Sequence, residues 1–207
     1  TTFGGEVNYT LTKFDPSGQI VYSTYWGGSR VRGAAPILVD DDGSIYLGGT
    51  VDRNDFPVTP GAVQPFLGGA RDYTLTKFDP LGQIVFSTYF GGNSPEIIEE
   101  IQLGPDGDIY IFGQSSSNNF QTTADAYQPT RSGSDDYTIS RFNPFGQLVY
   151  STYLGGSGDE APADFDIDDE GNIYLFGSSA SLNYPTTPNA IQSNYAGGRR
   201  DFVYTKL

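Results

Sequence analysis

One segment recurs three times in this chain at a constant spacing. Tyr9–Trp26 reads YTLTKFDPSGQIVYSTYW, Tyr73–Phe90 reads YTLTKFDPLGQIVFSTYF and Tyr137–Leu154 reads YTISRFNPFGQLVYSTYL, each 64 residues from the next. A fixed period of this length marks a chain that repeats one supersecondary unit and buries its core between neighbours. The rest of the unit keeps step. Asp40–Gly48 (DDDGSIYLG), Gly104–Gly113 (GPDGDIYIFG) and Asp168–Gly177 (DDEGNIYLFG) share one phase, as do Thr59–Pro65, Ala124–Pro129 and Thr187–Gln192. A Gly-Gly pair follows each STY segment, at Gly27–Gly28, Gly91–Gly92 and Gly155–Gly156. We therefore read residues 1–207 as three tandem units, about 9–72, 73–136 and 137–200, with the first strand of a fourth at 201–207.

Within a unit the pattern is that of strands. Across the second and third units, Glu99–Leu103, Ile109–Gln114, Tyr137–Phe142 and Gln147–Tyr153 are four consecutive short strands, and the same parsing gives thirteen in the whole chain. Period-two alternation places Ile37/Val39, Ile101/Leu103 and Phe165/Ile167 on one face, with Leu38, Gln102 and Asp166 turned to a channel or solvent. The composition agrees, with 15 Tyr and 14 Phe for half-buried strands and 27 Gly and 13 Pro for turns. Asp15, Asp79 and Asn143 open hairpin turns in which Pro presets φ and Gly18, Gly82 and Gly146 supply a positive φ; Gly43, Gly107 and Gly171 serve the second hairpin. The Thr59-Pro60, Ala124 and Thr187-Pro188 segments read as single helical turns inside linkers of about 20 residues. The expected fold is all-β, built from β-propeller blades of four-stranded antiparallel meanders, with a linear β-repeat array as the alternative.

Charge and missing residue types narrow the function. The formal net charge of −14 repels phosphate backbones and argues against nucleic acid as a partner. Cysteine and histidine are both absent, which removes disulfides, thiolate metal sites and the commonest general base. No initiator Met, signal peptide or apolar run long enough to span a membrane is present, as expected of a mature protein or an excerpt of a longer propeller.

At KFDPxGQxVYSTYxGG, the DxxGxIYxxG turn and the FPxTPGAxQ linker, the chain resembles the bacterial seven-bladed β-propeller repeat family, abbreviated SBBP. The resemblance implies secreted or surface-attached bacterial proteins with propeller repeats beside adhesive modules. It carries no catalytic motif, so no functional residue is transferred from it. The middle unit departs from the pattern in its linker, where Asn119–Thr123 stands in place of Phe56-Pro57 and Tyr184-Pro185.

Several residues are candidates for more than structure. Asp164, Asp166, Asp168 and Glu170, followed by Gly171, resemble part of a calcium loop, though Gly177 stands where the closing bidentate Glu belongs and a plain hairpin turn is the simpler reading. No other cofactor is expected. The clusters Tyr22/Tyr25/Trp26, Phe86/Tyr89/Phe90 and Tyr150/Tyr153/Leu154 suit either a carbohydrate platform or packing between units, and repetition at one strand phase favours packing. Lys13, Lys77, Arg141 and Lys206 repeat a cation at one position, read as facing solvent or pairing with acidic neighbours. Asn8-Tyr9-Thr10 matches a weak glycosylation pattern.

The segments that differ between units are Ser29–Ala35, Asn93–Ile98 and Ser157–Pro162. Binding residues gather on variable loops held by a rigid scaffold, which makes Ser29, Arg30, Arg32, Asn93, Glu96, Ser157, Asp159 and Glu160 the ligand-loop candidates. The expected function is a non-catalytic scaffold of a secreted or cell-surface bacterial protein, meeting a protein or glycan at the cell exterior without membrane insertion. Self-association by strand complementation through Phe202–Leu207 belongs to the same reading. The rival is a carbohydrate-binding or carbohydrate-processing propeller.

Overall fold

The hairpins start from one repeated turn. Oδ1 of Asp15 accepts the amides of Ser17 and Gln19, and Asp79 and Asn143 do the same for Leu81 and Gln83 and for Phe145 and Gln147, all at 2.8–3.0 Å. Gly18, Gly82 and Gly146 then reverse the chain at φ of 81°, 80° and 80°, a region costly to any residue with a Cβ. Gly43, Gly107 and Gly171 take the same conformation in the other hairpins.

These turns organise a computed structural model that describes residues 6–33 and 35–207. Strands β1 (Tyr9–Phe14) and β2 (Ile20–Trp26) form a two-stranded sheet. The next sheet holds β3 (Val31–Arg32), β4 (Ile37–Val39), β5 (Ile45–Val51), β6 (Asp72–Phe78) and β7 (Ile84–Phe90). It is followed by β8 (Glu96–Leu103), β9 (Ile109–Ser115), β10 (Asp136–Phe142) and β11 (Leu148–Leu154), and then by β12 (Glu160–Ile167), β13 (Ile173–Ser179) and β14 (Asp201–Lys206). Neighbouring strands within each sheet are antiparallel.

The described residues hold fourteen strands rather than thirteen, because both β3 and β4 pair with β5 where the other sheets have one first strand. Strand β8 also begins three residues before the expected Glu99. Its register shifts between Ile98 and Glu100, and β12 shifts between Pro162 and Asp164. Such a bulge flips the side-chain phase, so the alternation that reveals the later half of the strand conceals the earlier half. The expected helical turns are single tight turns instead, closed by bonds from Ala62 N to Thr59 O, Ala126 N to Thr123 O and Ala190 N to Thr187 O. No helix occurs among the described residues.

The core lies between successive sheets. Trp26 of β2 meets Phe56 and Phe78 edge-on at 5.5 and 5.2 Å and donates its indole N–H to Thr76 at 3.2 Å. Phe90 of β7 meets Phe120 and Phe142 at 4.8 and 5.1 Å, and the next layer gathers Phe112, Ile139, Phe165 and Leu175. Two tyrosines bolt sheet to sheet through polar tips: the Tyr73 hydroxyl reaches Gln114 O and Thr138, and that of Tyr137 reaches Ser178 O. The aromatic clusters read from the sequence serve this packing, although Tyr25 stays 43 % exposed.

Ile37 and Val39 depart from expectation. Ile101 and Phe165, the counterparts of Ile37 in β8 and β12, are buried, and Leu103 and Ile167, those of Val39, are half-buried, whereas Ile37 and Val39 are exposed. Strands β8 and β12 each pack against a preceding sheet that has inner strands. The two-stranded sheet before β4 consists only of the strands equivalent to β6 and β7, so nothing among the described residues covers Ile37 and Val39.

Candidate functional site

The three connections between sheets gather the residues that vary most, and each rests on a polar base. In the middle unit Glu96 opens β8 with no solvent exposure. Its Oε1 accepts the hydroxyls of Ser115 (2.7 Å) and Ser117, and its Oε2 accepts the Gly92 amide at 2.9 Å. Glu160 repeats the arrangement with Ser179 and Ser181 at 2.6 Å and Gly156 at 3.2 Å. Burial pushes Glu96 up to about 7 and also raises Glu160, against the hydrogen bonds that favour the charged form.

A second carboxylate sits beside each of these. Asp72 accepts Gln64 Nε2 at 2.5 Å and Gly68 N at 2.7 Å, and Asp136 accepts Gln128 Nε2, Ser132 N and Gly133 N. Burial raises the Asp72 carboxyl as well. The same glutamines accept the Gly91 and Gly155 amides through Oε1, which ties linker, strand and connection together. The glycine pairs are there for close approach rather than for a special φ. A Cβ on Gly91 would stand 2.4 Å from Glu96 Oε2, and one on Gly92 would stand 2.5 Å from the Ser117 Cβ.

The connection above this base is braced from the side. Asn119 accepts the Asn93 amide and Ser117 the Ser94 amide, while Asn183 and Ser181 hold Ser157 and Gly158 identically, all at 2.8 Å. The first unit is built differently: Arg32 occupies the place of Glu96, and Val51 and Arg53 replace the serines. Arg32 pairs there with Asp52, while Arg30 lies 3.4 Å from Glu6 and 3.9 Å from Asp52. Ser29 donates its amide to Asp55 at 2.9 Å.

Two ligand-loop candidates are therefore corrected. Glu96 and Glu160 lie in strands, sealed under the connections they were expected to decorate, because each satisfies two serine hydroxyls and a backbone amide. Asn93 and Ser157 are exposed, and Ser29, Arg30, Arg32 and Asp159 are half-buried at the same end of the sheets. Ala34, inside the Ser29–Ala35 segment, lies outside the described residues. Adjacent carboxylates with raised pKa are the raw material of acid–base hydrolysis. Here both Asp72 and Glu96 are closed to solvent, so what the pair does is hold the loop base.

Asp168 of the calcium-loop candidate serves the hairpin turn. Asp168 spends its oxygens on the turn, accepting from the Glu170 and Asn172 amides, the Asn172 side chain and the Tyr174 hydroxyl. Desolvation opposes ionisation there, but these hydrogen bonds outweigh it and hold Asp168 down at about 2. Asp166 accepts the Ile167 amide, and Asp164 sits against Glu100, whose carboxyl is raised by burial and by that neighbour. Among the described residues no group of three or more carboxylates is arranged to hold a metal ion.

Three of the repeated cations lie over tyrosine rings that sequence reading did not assign to them. Lys77 lies 4.9 Å from the Tyr46 ring centre, Arg141 5.6 Å from Tyr110 and Lys206 4.9 Å from Tyr174, while Arg141 also pairs with Asp106 and Asp108. Lys13 donates to Pro80 O. Asn8, the first residue of the glycosylation pattern, donates its side-chain amide to Gly28 O at 2.5 Å. The Glu–Ser–Ser base was missed as well, and its signal was present: Glu96, Ser115 and Ser117 recur 64 residues on, and all three are replaced together in the first unit.

Comparison with known proteins bears on this geometry. Residues 149–185 match the family model SBBP, described as a beta-propeller repeat. The matched stretch runs from β11 through β13 and includes the Gly155–Gly156 connection, Glu160, Ser179 and Ser181. It supports the resemblance read from the sequence. No curated protein matches the chain.

Proposed function

Taking residues 149–185 as an SBBP beta-propeller repeat, we propose that the chain is a run of propeller blades about 64 residues apart, acting as a non-catalytic scaffold of a secreted or surface-attached bacterial protein. Its work is presentation: the connections at Ser29–Arg32, Asn93–Pro95 and Ser157–Asp159 meet a protein or glycan outside the cell. One observation carries this reading. The bases of the second and third connections are built alike, from Glu96 with Ser115 and Ser117 and from Glu160 with Ser179 and Ser181, while the three-residue tips they hold, Asn93–Pro95 and Ser157–Asp159, differ in sequence and charge. A rigid frame under unlike tips suits recognition better than it suits a shared reaction. The lack of histidine and cysteine fits the same view.

The test replaces Ser29–Arg32, Asn93–Ser94 and Ser157–Asp159 in turn with Gly/Ser and measures adhesion of the purified protein to surfaces coated with matrix proteins, alongside a glycan array. Binding lost on one replacement, with melting unchanged, supports the proposal. Binding indifferent to all three, or turnover of a polysaccharide panel, contradicts it. Self-association through Phe202–Leu207 is a second reading, for which the exposed Phe202 and Tyr204 (81 % and 67 %) would be the contact residues. Sedimentation showing monomers at every concentration removes that reading alone.

A further inference from the structure

A chain with a net charge of −14 gathers four of its eight arginines in one region. Arg30, Arg32 and Arg53 all approach a single carboxylate, that of Asp52. Arg32 touches it, and the other two stand 3.9 Å away. Glu6 shares Arg30 at 3.4 Å. The fourth, Arg71, has no ion pair or side-chain hydrogen bond among the described residues. Four cations against Asp52 and Glu6 leave the region positive inside an acidic protein.

Arg32 and Arg71 line one open cleft of about 340 Å³, together with Thr50, Ile97, Ile98 and Glu99. Clefts that hold small ligands start at roughly 300 Å³. The walls belong to two successive sheets, with β3, β5 and the residue before β6 on one side and β8 on the other. They are firmly held. Arg32 pairs with Thr50 in the β3–β5 ladder, the Arg71 carbonyl accepts the Glu96 amide at 2.9 Å, and Thr50 Oγ1 accepts the Ile98 amide at 3.3 Å. The next seam reverses both charges. There Glu96 stands for Arg32 and Asp135 for Arg71, while Gln114, Ala161 and Ala163 stand for Thr50, Ile97 and Glu99. Glu96 and Asp135 are in turn occupied by serine hydroxyls. The paired cations therefore belong to this seam and not to the shared frame.

We propose that this cleft binds an acidic polysaccharide, taking the carboxylate of a uronic acid residue between Arg32 and Arg71. A guanidinium is a flat fork of donors that matches a carboxylate, and Arg71 has its whole fork to offer. Ile97, 38 % exposed, supplies apolar surface for the C–H face of a sugar ring. Glu99 decides between ligand classes. An exposed acid in the same cleft opposes a purely acidic peptide, yet it accepts hydroxyl hydrogens, as Thr50 also can. A ligand carrying both a carboxylate and hydroxyls suits all of these groups. The assignment rests on the presentation reading and gives the first connection its ligand class.

The test titrates the full chain, by fluorescence anisotropy, with a labelled galacturonic acid tetramer, its neutral methyl ester and a hexaglutamate peptide. Saturable binding of the acid is expected, weakening as salt is raised. The ester should bind about tenfold more weakly, and Arg71→Gln should weaken the acid by about as much. No saturation at millimolar tetramer, equal binding of acid and ester, or indifference to Arg71→Gln overturns the proposal; the ester comparison needs no variant to fold. Hexaglutamate binding as tightly as the tetramer assigns the cleft to an acidic peptide and overturns it too. If the tetramer fails while replacing Ser29–Arg32 still abolishes adhesion to another surface, presentation stands and this proposal alone falls.

Discussion

Replacing Glu96 with Gln should change how stability depends on pH more than it changes stability at any one pH. Burial raises the Glu96 carboxyl from 4.5 to about 7 in the folded protein. Between those values the folded state keeps a proton that the unfolded chain has released. Stability is therefore fullest below pH 4.5 and is lost as pH climbs through about 7. A rise of that size corresponds to at most about 3 kcal/mol across the window. The raised Asp72 and Glu160 carboxyls push the same way. The lowered Asp15 and Asp168 push the opposite way, and only at more acid pH. Glu96→Gln keeps the shape and stays neutral, so urea unfolding followed by circular dichroism from pH 4.5 to 8 should show a flatter profile than the parent, with the variant gaining relative to it as pH rises. An unchanged slope, or parental stability that increases from pH 5 to 7, would refute the buried-acid account of the loop base.

Other consequences are simpler to measure. Tyr153→Phe strands Ser117 O and Phe120 N inside the protein and should cost about 1–3 kcal/mol in calorimetric unfolding. Gly92→Ala forces a methyl against the Ser117 side chain at 2.5 Å and should destabilise by about 1–3 kcal/mol through overpacking, with faster exchange of the Asn93 and Ser94 amides. Millimolar calcium, or a chelator, should leave the melting temperature unchanged, because the Asp168 oxygens are already committed to the turn.

How much of this was legible in the sequence depends on the kind of residue. The turns at Asp15-Pro-Ser-Gly18 and its copies were readable because the chemistry is local: an acceptor, a preset φ and a glycine. Strand cores such as Tyr73–Phe78 were readable from their composition and repetition. What failed was non-local. Glu96 looks like a loop acid until the chain brings Ser115 and Ser117 to it, and the bulge after Ile98 hides that it belongs to a strand. Ile37 and Val39 have the right pattern for burial, but burial depends on which strands a neighbouring sheet contains. The Glu–Ser–Ser base could have been found by comparing the units with one another, since Arg32, Val51 and Arg53 replace all three members at once.

The protein is a stack of antiparallel sheets held seam to seam, with its most protected strands inside. Native-state hydrogen exchange resolved to individual strands tests this arrangement most directly. Strands β6 and β10, paired on both sides and covered on both faces, should exchange slowest, and the β14 amides directed away from β13 should exchange far faster. Protection across β14 equal to that of β10 would contradict the account.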